Sequence, residues 1–138
     1  MKNLFVTLLA FACCMSCATP KKRAQPFNAD RMLIRISEIE IEPEYLQEYL
    51  EILKEESNTS VELEPGVVSI YPLYQKENPN QIRILEIYEN RAAYESHLQT
   101  PHFKHYKTTT LKMVKSLKLI DMKTIDGQTM PLIFKKLK

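Results

Sequence analysis

The 138-residue chain is predicted to form an α+β domain of ferredoxin-like topology, with elements in the order βαββαβ. Three observations predict it. Runs rich in β-branched and aromatic residues recur at 32–42, 67–75, 81–88 and 116–125. Apolar residues at helical spacing occupy the long gaps after the first and third of these runs. The strands are apolar on both faces, although the helices of such a topology cover only one.

Residues 1–16 precede the domain as a targeting segment. Lys2 gives a positive start and Leu4 to Ala12 an apolar run too short to cross a bilayer as a helix. All three cysteines, Cys13, Cys14 and Cys17, follow it. Small residues before a Cys, then a polar spacer, resemble a bacterial lipoprotein signal. Cys17, after Ser16, is the preferred lipidated residue, with Cys13 as the alternative and an ordinary cleaved signal without lipid as the plainer account. Residues 17–30 carry Pro20, Lys21, Lys22, Arg23 and Pro26 without apolar periodicity, as a flexible tether would. Residues 31–138 suffice for one modest core. The expected location is the cell envelope, with the domain exported and lipid-anchored.

Charge excludes little except nucleic acid. Without Lys2 the chain has 18 basic and 17 acidic residues, and no basic stripe is interleaved with aromatics.

The first strand, Met32 to Glu42, places Ile34 and Ile36 on one face and Ile39 and Ile41 on the other. Either a bulge near Ser37 or burial on both faces accounts for this. Pro43 opens a helix whose stripe is Tyr45, Leu46, Tyr49, Leu50 and Leu53, continued by the small residues Ser57 and Ser60. Small residues there leave room for a ligand or for close packing. Pro65-Gly66 ends the segment.

The second and third strands, Val67 to Gln75 and Gln81 to Tyr88, form a hairpin around residues 76–80. Pro72 marks the second as an edge strand or a bulge. Sheet faces that are both apolar call for a second cover, and a partner subunit is the economical one. Asn90 caps a helix that breaks at Pro101 and resumes through Tyr106 to Val114. The fourth strand follows at Ser116 to Ile125, then an Asp126-Gly127 turn. The apolar tail from Met130 to Phe134 could pair with an edge strand.

A cavity between helices and sheet would be lined by Ser57, Asn58, Tyr71, Arg83, Tyr88, Tyr94, His97, His102 and Phe103, aromatics with a few polar groups that suit a flat organic ligand. Strand parity leaves open which face Tyr71 and Arg83 occupy. His97 is the candidate base, since His accepts protons near neutral pH; the plainer account has it bracing the Pro101 break. His97, His102 and His105 make no i, i+4 pair and straddle a proline. No acidic cluster adjoins them in sequence, so no metal is expected. Gly66 and Gly127, the only glycines, make no phosphate loop, and no nucleophile elbow is present.

Glu86, Tyr88, Asn90, Ala93, His97, Pro101, His102 and Phe103 together resemble the strand–cap–helix–break pattern of the antibiotic biosynthesis monooxygenases, the quinol monooxygenase subgroup above all. The resemblance spans roughly residues 31–125 in its order of elements. It implies a dimeric α/β barrel, two sheets packed face to face in a homodimer. It also implies cofactor-independent oxidation of hydroquinones or related polyphenols by O2, with His97 as base and Tyr88, Tyr94 and Arg83 orienting the substrate or its anion. The chain departs from many members in lacking Trp. A non-catalytic barrel holding haem, a quinone or another flat ligand is the alternative.

Overall fold

The structure, a computed structural model, describes residues 28–137. The expected signal segment, Cys13, Cys14, Cys17 and the tether as far as residue 27 lie outside the described residues. No described helix is long and apolar enough to cross a membrane.

Four strands form one antiparallel sheet: β1 (Leu33–Ile41), β2 (Val67–Tyr74), β3 (Gln81–Tyr88) and β4 (Val114–Met122), in spatial order β2-β3-β1-β4. With α1 (Leu46–Leu63), α2 (Arg91–His97) and α3 (Pro101–Thr110), this is the ferredoxin-like arrangement. A fourth helix, α4 (Thr129–Lys136), replaces the expected tail strand. The Asp126 carboxylate starts it by accepting from Gln128 N at 2.9 Å and Thr129 Oγ1 at 2.7 Å.

β1 is regular at Ser37. Its register against β4 shifts only between Glu40 and Ile41. Arg35, Ser37, Ile39 and Ile41 therefore all face the helices and are buried, while Ile34 and Ile36 face the other way. There is thus no bulge at Ser37, and burial is full on the helix face only: Ile34 and Ile36 on the other face are half-buried. The bulge falls instead in β2, where the register shifts between Val67 and Ser69. That extra residue puts Val67 on the same face as Ile70, and both are buried. Pro72 lies on β2, an edge strand, where a proline is tolerated.

The core gathers between helices and sheet around Ile41, Tyr49, Leu53, Ile82 and Met113. Each contributes about 1.5–3 kcal/mol by leaving water. Met113 ends the helical region rather than extending it: residues 111–113 form a turn and β4 starts at Val114, two residues before its expected start. Thr110 Oγ1 donates back to Tyr106 O and Met113 N to Thr110 O, which close the helix there.

The opposite face of the sheet is apolar too. Ile36 pairs with Leu85 on one side and Ile120 on the other, and Tyr71 continues the row beside Leu85. Tyr71, Leu73 and Met122 are exposed. A cavity of about 1140 Å³ separates α4 from the rim made by α1, β2 and β3.

Candidate active site

Helices α1, α2 and α3 and the inner sheet face enclose a cavity of about 380 Å³. Its walls are mostly apolar, and its polar groups come from all three layers. Asn90 begins the most informative wall. Its side chain accepts from Ala93 N at 2.9 Å and starts α2, which delivers Tyr94 and His97. Thr100 then does two things. Its hydroxyl donates to His97 O at 2.8 Å, and it accepts from Phe103 N at 3.3 Å as the cap of α3. Pro101 occupies the first position of α3, where no N–H is needed. The break thus folds His102 and Phe103 back toward His97: the Phe103 ring centroid lies 4.6 Å from that of His97 and the His102 centroid 6.4 Å.

His97 is 2% exposed, and a carboxyl group stands by each of its ring nitrogens. Nδ1 lies 2.9 Å from Glu64 Oε1, and Nε2 lies 3.7 Å from Glu56 Oε1. The same Glu64 oxygen lies 2.6 Å from His102 Nε2. Burial works to raise the Glu64 carboxyl, but the hydrogen bonds from His97 and His102 outweigh it and hold the group below the usual carboxylate range. Glu64 is therefore the acceptor and His97 Nδ1 the donor. In the neutral imidazole this leaves the Nε2 lone pair free beside Glu56, and both His97 and Glu56 line the cavity. Burial raises the Glu56 carboxyl, more than its hydrogen bond from Ser60 Oγ at 2.9 Å lowers it. The donor atoms of Glu64, His97 and His102 all lie within 4.8 Å of one another, a set able to hold a metal ion.

Glu86 supplies the floor, where it accepts from Ser37 Oγ and from Tyr88 Oη at 3.0 Å. Burial, with the Glu86 charge, pushes the Tyr88 phenol well up, so it stays protonated and donates. Alongside Lys107, Arg35 supplies a cation. It bonds Asp121 through Nε at 2.8 Å, and its guanidinium carbon sits 4.7 Å from the Tyr94 ring centroid. Burial disfavours the Arg35 charge, but Asp121 and Tyr94 prevail and raise it. Above, Tyr106 shares a 2.7 Å hydroxyl contact with Tyr49, and burial pushes its phenol up to about 12.

Of the residues expected to line the site, Tyr88, Tyr94, His97 and Phe103 do so together. His102 is displaced behind His97, on Glu64. Arg83 and Tyr71 do not contribute, because alternation puts them on the opposite sheet face. Arg83 stands opposite Glu38, 3.5 Å away, and Tyr71 is exposed beside Leu85. Ser57 and Asn58 line the cavity under α4 instead, and Ser57 Oγ is spent on Leu53 O at 2.7 Å. The histidines do have acidic neighbours, contrary to expectation, since α1 brings Glu56 and Glu64 from over thirty residues upstream.

Arg35, Ser37, Glu56, Glu64 and Glu86 are site residues the linear reading passed over. Parity could have found three of them. Arg35 and Ser37 alternate with Ile39 and Ile41, and Glu86 with Ile84 and Tyr88, at positions that should be apolar. Glu56 likewise falls on the Tyr49–Leu53–Ser60 stripe of α1.

The family model for antibiotic biosynthesis monooxygenases matches residues 32–109. A crystal structure from Bacteroides thetaiotaomicron, provisionally named an antibiotic biosynthesis monooxygenase, is 50% identical with a TM-score of 0.71, over 72% of this chain and 94% of that one. A provisionally named monooxygenase from Lactobacillus acidophilus is 30% identical with a TM-score of 0.65, over 69% of this chain and 45% of that one. A Synechocystis protein without assigned activity is 27% identical over 108 residues, 75% of this chain and 70% of its own.

Proposed function

Because the chain belongs to the antibiotic biosynthesis monooxygenase family, we propose that it is a cofactor-independent oxygenase of hydroquinones or related polyphenols. The observation that carries this reading is the His97 ring: Glu64 fixes the proton on Nδ1, and Nε2 keeps its lone pair at a largely apolar cavity. A phenolic hydroxyl seated there loses its proton to His97 Nε2. Arg35, rather than Arg83, offsets the negative charge that develops, and Tyr88, Tyr94 and Phe103 hold the ring.

The electron-rich anion passes one electron to O2. The semiquinone and superoxide then join through a carbon–oxygen bond at the ring carbon next to the phenolate. His97 returns its proton to the distal oxygen, giving a hydroperoxide. Loss of water, with the hydrogen of that carbon, leaves a ring carbonyl. Hydroquinone and O2 thus become hydroxyquinone and water.

The reading includes a homodimer closed over the apolar sheet face that carries Ile36, Leu85 and Tyr71, supported by the exposure of Tyr71, Leu73 and Met122. It also includes export and lipid attachment at Cys17, supported by the Lys2, Leu4–Ala12 and Cys order of the first segment.

Oxygen uptake by the purified protein with a hydroquinone tests the reaction. His97→Gln should lower the rate by about 10²–10⁴-fold. Uptake that is absent, or unchanged by the substitution, would overturn the assignment. Light scattering should give twice the chain mass, and metabolic labelling with a fatty acid should be lost in Cys17→Ser.

A further inference from the structure

We propose that Glu64, His97 and His102 form a binding site for a divalent transition-metal ion of the zinc type, on the side of the His97 ring away from the cavity. The donor set is one carboxylate and two imidazoles, which favours zinc, cobalt(II) or nickel(II) over calcium or magnesium. The geometry is close to what such an ion needs. Metal–ligand bonds of about 2.0–2.2 Å place the donors of a tetrahedral site about 3.3–3.5 Å apart. Here Glu64 Oε1 stands 2.9 Å from His97 Nδ1 and 2.6 Å from His102 Nε2, so each contact opens by less than about 1 Å through side-chain torsions.

The three donors come from three anchored places: the C-cap of α1, the last residue of α2 and the second residue of α3. Thr100 ties the last two together through its bonds to His97 O and Phe103 N. The Pro101 break therefore does what an i, i+4 helical pair does in other sites.

Two further observations point to a ligand. His97 has a carboxyl group near its other nitrogen, Glu56 Oε1 at 3.7 Å from Nε2, the place where an outer partner for a metal-bound imidazole is needed. Access also exists: the His102 side chain is 20% exposed while that of His97 is 3% exposed. Neither Glu64 nor His102 lines the substrate cavity, so an ion there leaves that space open.

Occupancy has a consequence that rests on the oxygenase reading. An imidazole bound through Nδ1 keeps its proton on Nε2. His97 then has no lone pair for a phenol, and metal binding competes with its work as a base.

The binding itself is tested without turnover. The full chain, its thiols blocked with iodoacetamide so that Cys13, Cys14 and Cys17 cannot contribute, is titrated with cobalt(II) and followed by visible absorption. Zinc is titrated in parallel by calorimetry. The expected result is one ion per chain. His102→Gln and Glu64→Gln, checked for native circular dichroism, should each weaken binding by about 100-fold or more. His105→Ala, at an exposed position, should bind as the parent does. No saturable binding, or binding that His102→Gln leaves intact, would overturn the site. A chain that binds cobalt, yet consumes no oxygen when assayed free of metal, would overturn the oxygenase reading and leave the site standing.

Discussion

Glu64 Oε1 takes hydrogen bonds from His97 Nδ1 and His102 Nε2 at once, at 2.9 Å and 2.6 Å, and so joins the end of α1 to both sides of the α2–α3 break. One carboxylate oxygen fixes the tautomer of the buried imidazole and the angle of the break. Removing it leaves His97, nearly without solvent contact, with no partner at Nδ1. Glu64→Ala should therefore cost about 3 kcal/mol, measured by urea unfolding. A cost within about 0.5 kcal/mol, the usual size for a surface change, would mean the two bonds are not made in solution.

The turn before β2 admits no side chain. A Cβ on Gly66 would meet Ala93 Cβ at 2.5 Å, so α2 packs on the bare backbone. Gly66→Ala should destabilise by about 1–3 kcal/mol through overpacking. Adding Ala93→Gly should recover part of this, less the roughly 1 kcal/mol that glycine costs inside a helix. Additive losses in that double-mutant cycle would show that the two residues do not touch.

Thr100 caps α3 and ties back to His97 O. Thr100→Ala should lose about 1 kcal/mol. It should also shift the NMR resonances of the His97 and His102 rings together, because the break that aligns them loosens. Stability lost without movement of those resonances would make the cap purely local.

Glu56 gives a pH signature. Burial raises its carboxyl in the folded state above its unfolded value. Its contribution is then fully present below the unfolded pKa and is lost as pH rises through the folded one. Denaturation midpoints of the parent should fall toward alkaline pH more steeply than those of Glu56→Gln, which has nothing to ionise. Parallel curves would contradict burial of an ionisable group there.

Order and type of element were legible in the sequence because they depend on local information. Two-sided apolar strands, helical stripes, the Asn90 cap and the Pro101 break each announce themselves within a few residues. The mistakes have local causes as well. The helix before β4 looked longer because Met113 and Val114 continue an apolar pattern that a turn interrupts. The tail looked like a strand because a short apolar run carries no period long enough to distinguish strand from helix.

Sequence by itself grouped His97, Tyr88, Tyr94 and Phe103, which one strand end and one broken helix carry and which do meet, but with the same weight it added Ser57, Asn58, Tyr71, Arg83 and His102, which do not line that cavity. Only the tertiary structure decided that Arg35 lines the cavity and that Arg83 faces away, because a strand's two faces are equivalent until a helix lands on one of them. It alone brought Glu56 and Glu64 to the two nitrogens of His97. Those contacts join residues more than thirty positions apart, and no local pattern encodes which carboxylates of a solvent-rich helix will be turned inward when it packs.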